Sequence, residues 1–201
     1  FFIGIIATLL ATALGTVAAL GLSRPHMPFK AVLMAILISP MIVPLIITAA
    51  GMFFFYSKIG LTHTYLGLIL AHTALGTPFV VITVTATLTG FDTNLIRASQ
   101  SLGADTMRTF FKVIMPLILP GVISGGLFAF ITSFDEVVIV MFVGSVEQIT
   151  IPKQMWAGLR QETSPVILCM ATCLVALSIA LLTTVEMLRR RSERLRGIKQ
   201  R

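Results

Sequence analysis

Residues 113–134 read VIMPLILPGVISGGLFAFITSF, a stretch of 22 residues without a charged side chain. An α-helix rises about 1.5 Å per residue, so this stretch would be ~33 Å long, close to the thickness of the hydrocarbon core of a bilayer. Lys112 precedes it, and Asp135 and Glu136 follow it. The stretch therefore predicts a membrane-spanning helix with charges just outside both ends.

Four further uncharged stretches are long enough to cross a bilayer, which takes about 20 mainly apolar residues. They are residues 1–23, 31–57, 59–91 and 163–185. Only 11% of the 201 residues are charged and 56% are hydrophobic, whereas a soluble domain usually carries about 25% charged residues. We therefore expect an all-α, polytopic membrane protein with about five spans.

Two features predict contacts between the spans. Small residues recur at every fourth position of the first span, which places them on one helical face where a neighbouring helix can approach closely. These residues are Ala7, Ala11, Gly15 and Ala19. The third span contains His72, which has no acidic neighbour in sequence. We expect it to be a hydrogen-bonded interior residue.

Two prolines, Pro40 and Pro44, interrupt the second stretch. Each removes a main-chain hydrogen-bond donor and disturbs the preceding helical turn. A break inside the membrane requires other protein or a wet cavity to satisfy the freed carbonyl groups. The prolines therefore predict a kink, which either lines a translocation pathway or is simply packed against neighbouring helices.

Lysine and arginine are distributed unequally along the chain. If the C-terminus is cytoplasmic, the cytoplasmic segments hold 12 of the 15 basic residues, with two in 24–30, three in 92–112 and seven in 189–201. Such a bias orients membrane proteins. The net charge of +7 therefore indicates a topological anchor rather than nucleic-acid binding. We divide the chain into a membrane domain, residues 1–188, and a basic cytoplasmic tail, residues 189–201.

Residues 92–115 form the longest cytoplasmic connection between the predicted spans. Asp92 and Asp105 can each cap a short helix, and Gly103 can end the first one in a left-handed conformation. A pair of short amphipathic helices is suited either to a groove on another protein or to the headgroup region of the membrane. The residue pattern alone leaves both possibilities open.

This loop reads RASQSLGA over residues 97–104, and Phe110, Val113, Pro116, Pro120 and Gly121 follow it. The pattern resembles the EAA loop of binding-protein-dependent ABC importer permeases, which is roughly E-A-A-x-x-L-G-A, then F-x-x-V-x-L-P and P-G. Two positions depart from it. Arg97 stands where the family usually has Glu, and Ser99 stands where it usually has Ala. The departure at residue 97 puts any ion pair there in doubt.

The resemblance implies the fold of a type I ABC importer transmembrane domain without the first helix that family members usually have. In that family the loop is a coupling helix that fits a cleft on an ATPase subunit. By this resemblance the contacts with the ATPase involve Ala98, Ser99, Leu102, Gly103, Ala104, Phe110 and Pro116. The implied partners are an ABC ATPase dimer, a second and different permease subunit, a periplasmic binding protein and the lipid of a bacterial inner membrane.

The chain itself is predicted to be non-catalytic. A nucleotide-binding loop of the type G-x-x-x-x-G-K-[ST] requires a lysine after a glycine, and none of the five lysines follows one. We expect no catalytic residue, no metal ligand and no cofactor on this chain. ATP and magnesium would bind to the partner ATPase, which would supply the energy.

The acidic pair Asp135 and Glu136 would lie at the outer end of the fourth span, where paired carboxylates attract a cation. From position alone, solvated interfacial charge is the slightly favoured explanation. Residues 133–138, and Ile151-Pro152 with Trp156, are similar to spermidine/putrescine-type permeases. The resemblance implies a polyamine pathway.

The predicted pathway residues are Asp135, Glu136, Pro40, Pro44 and Trp156. Related permeases carry ferric iron, phosphonates or sulfate, and those solutes remain alternatives. An ion-coupled secondary transporter, which would predict inverted repeats and charges deep within the spans, is the alternative from another class.

Overall fold

The computed structural model describes residues 1–24, 27–161 and 165–195. Within these ranges the chain forms ten α-helices and a π-helical segment, Phe110–Ile114, and no strand. The α-helices are α1 Phe2–Leu22, α2 Lys30–Ile42, α3 Leu45–Ile59, α4 Tyr65–Thr89, α5 Asn94–Ser101, α6 Thr106–Thr109, α7 Met115–Phe134, α8 Val138–Val143, α9 Ile151–Gln161 and α10 Pro165–Leu195. The predicted all-α class is confirmed.

Four helical segments are long and apolar enough to cross a membrane. They are Phe2–Leu22, Tyr65–Thr89, Thr106–Phe134 and Pro165–Thr184. The bent pair α2 and α3 makes a fifth span if the pair is counted as one. The prediction of about five spans therefore agrees with the structure. The third span begins later than predicted, because a loop at residues 60–64 separates it from α3.

The break between α2 and α3 is much sharper than a proline kink, because the two helices meet at 104°. Pro40 lies inside α2, and Pro44 is the residue just before α3. Pro40 cannot donate to the carbonyl of Ile36, four residues earlier. The hydroxyl of Ser39 donates to that carbonyl instead, at 2.8 Å. A side chain thus satisfies the group that the proline frees.

Helices α1, α4 and α7 pack together as the central bundle of the membrane domain. The predicted small face of α1 lies inside it, since Ala7, Ala11 and Ala19 are each at most 1% exposed. A Cβ atom on Gly15 would come within 2.6 Å of the Val80 Cβ atom. Small side chains therefore allow α1 and α4 to approach closely, as expected for helices that pack in lipid.

Aromatic contacts show which helix ends lie together. The rings of Phe1 and Phe134 are 5.0 Å apart, and those of Phe2 and Tyr65 are 6.1 Å apart. The starts of α1 and α4 therefore meet the end of α7. We call this the acidic end of the bundle, since Asp135 directly follows α7 there. The opposite end, where α4 leads into α5, is called the loop end.

His72 joins α4 to α7 inside the bundle. Its Nδ1 atom lies 2.8 Å from the hydroxyl oxygen of Ser133, and its side chain is 2% exposed. The prediction of a hydrogen-bonded interior histidine is confirmed. Such polar contacts between membrane helices supplement close packing.

The proposed division at residue 188 stays a prediction. Helix α10 runs through this position as far as Leu195. Residues 196–201 of the basic tail lie outside the described residues.

Candidate functional site

The two adjacent acids at the end of α7 have different environments. Asp135 is the C-terminal cap of α7, its N–H donates to the carbonyl of Ile131 at 3.0 Å, and its side chain is exposed. Glu136 is only 6% exposed, and its Oε1 atom accepts a 2.8 Å hydrogen bond from the N–H of Ile139, in the first turn of α8. One acid therefore faces solvent, while the other is hydrogen-bonded to the first turn of the next helix.

Glu136 lies just beyond the last residue of the span. Burial raises the pKa of this carboxyl group, and the nearby charge of Asp135 raises it further, whereas hydrogen bonds from the N–H groups of Ile139 and Val138 act in the opposite direction. The net effect is a pKa above the ordinary value for glutamate. Glu136 therefore takes up a proton at a higher pH than an exposed glutamate does.

A cavity of about 740 Å³ lies beside these acids, and we call it the acid cavity. Its lining residues come from α3, from α7 to α8, and from α9. They are Leu45, Ile46, Ile131, Thr132, Asp135, Glu136, Val137, Val138, Met141, Phe142 and Trp156. Three of the five predicted pathway residues thus lie together here, namely Asp135, Glu136 and Trp156. Pro44 directly precedes a lining residue, and Pro40, inside α2, does not line the cavity.

The short helix α8 forms one wall of the acid cavity. One of its faces is fully buried, with Ile139, Val140 and Val143 in a hydrophobic cluster that includes residues of α3 and α4. Its other face carries Met141 and Phe142, which line the cavity. The uncharged run that follows the acids, residues 137–146, is too short to cross a bilayer by itself. It does not continue α7 but forms a separate helix that packs against α3 and α4.

The acid cavity combines a carboxylate, an indole ring and apolar walls. Trp156, at 47% exposure, presents part of its ring. Carboxylates attract cations, aromatic faces hold them by cation–π interaction, and apolar walls accommodate hydrocarbon. This surface is therefore chemically suited to an organic cation.

The 92–115 loop at the other end of the bundle is built mainly by backbone geometry. Helix α5 ends at Ser101, Leu102 is its C-terminal cap, and Gly103 follows with a φ of 81°. The N–H of Gly103 donates to the carbonyl of Gln100 at 2.9 Å, and the N–H of Ala104 donates to that of Ser99 at 3.1 Å. This pair of bonds is a Schellman motif, which needs a left-handed residue and strongly favours glycine.

Both predicted aspartates accept main-chain hydrogen bonds in the loop, but only Asp105 is the cap of a helix. Asp92 Oδ1 accepts from the N–H of Asn94 at 2.9 Å, and Asp105 Oδ1 accepts from the N–H of Arg108 at 2.7 Å. The second bond caps α6 directly. Asp92 lies one residue before Thr93, which is the cap position of α5. The loop therefore has its two short helices where the sequence predicted them.

The predicted coupling residues differ in accessibility. Leu102 is 88% exposed, and Ala98, Gly103 and Pro116 are also exposed. Ala104 and Phe110 are half-buried. Two further apolar side chains of the loop are open to solvent, with Met107 at 65% and Phe111 at 58% exposure. The loop end thus presents an apolar patch next to a rigid turn.

Ser99 has a role inside the loop that the sequence did not reveal. Its hydroxyl oxygen lies 2.9 Å from that of Thr109, which is 2% exposed. This hydrogen bond ties α5 to α6. Ser99, where the family usually has alanine, is therefore hydrogen-bonded to the neighbouring helix of the same loop.

A π-helical segment, Phe110–Ile114, connects α6 to α7. Pro116 follows it, and a proline both lacks a donor for the carbonyl of Lys112 and clashes with it. A wider turn relieves that clash, which explains why the irregular segment lies here. The first turns of the spanning helix are thus wound differently from the rest.

A family model described as "Binding-protein-dependent transport system inner membrane component" matches residues 11–194. The chain belongs to this family. It is accordingly a non-catalytic, multi-pass permease subunit of an ABC importer in the inner membrane. This membership decides against the ion-coupled secondary transporter.

The permease is similar to curated proteins over most of its length. It is 30% identical to the spermidine/putrescine transport system permease protein PotC of Haemophilus influenzae, over 94% of this chain and 74% of that protein. It is 29% identical to PotC of Escherichia coli K12, over 90% of this chain and 68% of that protein. The putrescine transport system permease protein PotI of the same strain is 29% identical over 68% of this chain and 51% of that protein.

Solved structures share the fold of the permease. The inward-facing MetNI methionine ABC transporter aligns with a TM-score of 0.65 and 20% identity, over 98% of this chain and 92% of that one. An amino acid ABC transporter with histidines aligns with a TM-score of 0.67 and 17% identity, over 94% and 88% of the two chains. These likenesses confirm the transmembrane-domain fold of an ABC transporter.

Several cavity residues of the permease could not be identified from sequence. Leu45 and Ile46 follow Pro44 directly, and Met141 and Phe142 belong to the short apolar run after the acids. Apolar residues of this kind occur throughout the chain. Only the fold shows which of them line the cavity.

Proposed function

We propose that the permease forms part of a translocation pathway for polyamines, putrescine and spermidine, in the bacterial inner membrane. The observation that carries the proposal is the acid cavity, where exposed Asp135 lies in one lining with Trp156 and apolar side chains. A polyamine is a chain of methylene groups with charged amines, and each part has a matching surface in the cavity. The PotC and PotI relatives support this choice of solute.

Asp135 is the residue that we assign to the first contact with a cation. Its carboxylate is exposed, whereas that of Glu136 is buried and already accepts a hydrogen bond. Glu136 would contribute its negative charge at short range while holding α8 in place. Two neighbouring negative charges favour a cation over anions such as sulfate or phosphonate.

We further propose that the 92–115 loop docks onto an ABC ATPase subunit, which binds ATP and magnesium. Exposed Ala98, Leu102 and Gly103, with half-buried Ala104, form the contact surface. Phe110 and Pro116 join this surface to α7, and Ser99 maintains the angle between the two short helices. An apolar patch on a small, rigid turn suits a groove on another protein. We accordingly propose that the loop end and the C-terminus lie on the cytoplasmic side.

The mechanism is alternating access. A periplasmic binding protein would deliver the polyamine at the acidic end, and a second, different permease subunit would complete the pathway. Closure of the ATPase dimer on ATP would move the docked loop and tilt the attached α7. Cargo and nucleotide must bind the outward-open and inward-open states with different affinity for this coupling to work.

The test is uptake of labelled putrescine by cells that lack their own polyamine importers and that express the complete transporter. Saturable uptake, blocked by unlabelled spermidine but not by sulfate, phosphonate or ferric iron, is expected. Uptake of one of those competitors in place of putrescine would overturn the choice of solute. Co-purification of the permease with its ATPase, lost when the 92–115 loop is altered, tests the docking surface separately.

A further inference from the structure

Beside the acid cavity, two distant loops are joined by hydrogen bonds that the proposed function does not use. The N–H of His63 donates to the carbonyl of Val143 at 2.8 Å, and the His63 Nδ1 atom lies 3.1 Å from the carbonyl oxygen of Gly144, 81 positions away in sequence. A carbonyl oxygen only accepts, so Nδ1 carries the hydrogen in this bond. The loop before α4 is thereby bonded to the end of α8.

Gln148 and Lys153 extend these bonds to α9. The Gln148 side chain is 5% exposed, donates to the carbonyl of His63 at 3.3 Å and accepts from the N–H of Ser145 at 2.8 Å. Lys153 Nζ donates to the carbonyl of Ser145 at 2.7 Å. We call His63, Gly144, Ser145, Gln148 and Lys153 the clasp.

The clasp imposes an unfavourable backbone conformation. His63 has a φ of 62°, in the left-handed region that residues with a Cβ atom rarely adopt and that persists where the surroundings fix it. Gly144 lies so close to α8 that a Cβ atom there would come within 2.5 Å of the Val140 carbonyl oxygen. The contact between the two loops therefore constrains both of them.

The clasp fixes two walls of the acid cavity. Helix α8 supplies Met141 and Phe142, and α9 supplies Trp156. The start of α8 is held by Glu136, and its end by His63. Lys153 ties α9 to the same turn.

We propose that His63 and Gln148 are positioning residues, which hold α8 and α9 in the arrangement that the cavity needs to bind a cation, without contacting the cation themselves. This proposal rests on the proposed function of the acid cavity. It predicts that weakening the clasp lowers the apparent affinity for the cargo, while the maximal rate of transport stays the same.

The variants His63→Gly and His63→Asn distinguish the effect of losing the side-chain donor from the effect of changing the backbone conformation. Glycine accepts a positive φ but removes the donor, so folding is not penalised by strain. Asparagine tolerates the left-handed region and offers an amide N–H. Gln148→Glu removes the donor to His63 and keeps an acceptor for Ser145. The exposed neighbour Glu147 provides a matched control, Glu147→Gln.

Two measurements are made on the complete transporter. The half-saturating concentration of labelled putrescine is expected to rise about five-fold in His63→Gly and Gln148→Glu, the effect of losing one hydrogen bond. It should stay near the parent value in His63→Asn and Glu147→Gln. Hydrogen–deuterium exchange of the α8 amides, in lipid nanodiscs without cargo, should be faster in His63→Gly than in His63→Asn.

Equal half-saturation in the parent and in both clasp variants would overturn the proposal. So would a fall in maximal rate with unchanged half-saturation, because that result indicates a purely structural role. If the parent imports no putrescine, the proposed function fails. The exchange comparison, which needs no cargo, then decides by itself whether the clasp holds α8.

Discussion

The 92–115 loop and the acid cavity lie at opposite ends of α7 and are stabilised in different ways. In the loop the chain bonds to itself over short distances, as in the Schellman motif around Gly103 and the cap at Asp105. The cavity is assembled from α3, α7, α8 and α9, and its character depends on the charge of Asp135 and Glu136. Substitutions should therefore act through backbone shape in the loop and through charge in the cavity.

The largest effect is expected from Gly103→Val. A β-branched residue is strongly disfavoured at a φ of 81°, so the turn that sets the angle between α5 and α6 should be lost. Putrescine uptake should fall at least about ten-fold while the ATPase still hydrolyses ATP. Uptake and phosphate release are measured in parallel on reconstituted transporter.

Gly90→Ala is the matched control for this change. Its φ is −93°, and a Cβ atom there would meet nothing within 4 Å. If Gly103→Val transported as well as Gly90→Ala, the turn would not be needed for coupling, and the contrast between the two regions would disappear.

The next largest effect on transport is expected from replacing the acids of the cavity, and it should differ between the two. Asp135→Asn removes the exposed charge, and the half-saturating putrescine concentration should rise about ten-fold, as for loss of a charge-assisted contact. Glu136→Gln keeps an oxygen that can accept from the N–H of Ile139, so the bond to the first turn of α8 is retained and a smaller rise is expected. Uptake kinetics of both variants provide the comparison. The assignment of the first contact to Asp135 would be wrong if Glu136→Gln were the more damaging change.

A smaller effect on the half-saturating putrescine concentration is expected when the pH is lowered. Because the pKa of Glu136 is raised, this carboxyl group becomes neutral at a higher pH than an ordinary glutamate, and the cavity loses negative charge on mild acidification. The half-saturating putrescine concentration of the parent should therefore rise about two- to three-fold from pH 7.5 to pH 5.5. Glu136→Gln, which has no proton to gain, should show a weaker dependence. Identical pH profiles for the two proteins would contradict this role of Glu136.

The smallest effect is expected from Ser99→Ala, which restores the residue usual at this position in the family. The hydrogen bond to Thr109 is lost, so thermal unfolding should begin at a slightly lower temperature, consistent with a loss of about 1 kcal/mol. Transport should stay within about two-fold of the parent, because the exposed surface of the loop is unchanged. A loss as large as that of Gly103→Val would contradict this prediction and show that coupling depends on Ser99.

The loop was predictable because its determinants are local. Asp92, Gly103 and Asp105 each act on groups within three residues along the chain, and caps and left-handed turns follow from residue type. The bond between Ser99 and Thr109 was not predictable. Their pairing depends on how α5 folds back on α6.

The amino-acid sequence alone establishes the membrane-spanning character of the chain, because uncharged apolar stretches of this length are typical of membrane helices. It also determined the family, through the Leu102-Gly103-Ala104 core and the prolines that follow. The acid cavity and the clasp, in contrast, are products of the three-dimensional fold. It exposes Asp135 and buries Glu136, although the two are neighbours, and it joins His63 to Gly144 across 81 positions. The physical reason is that burial and long-range bonding depend on how the helices pack, which no local pattern specifies.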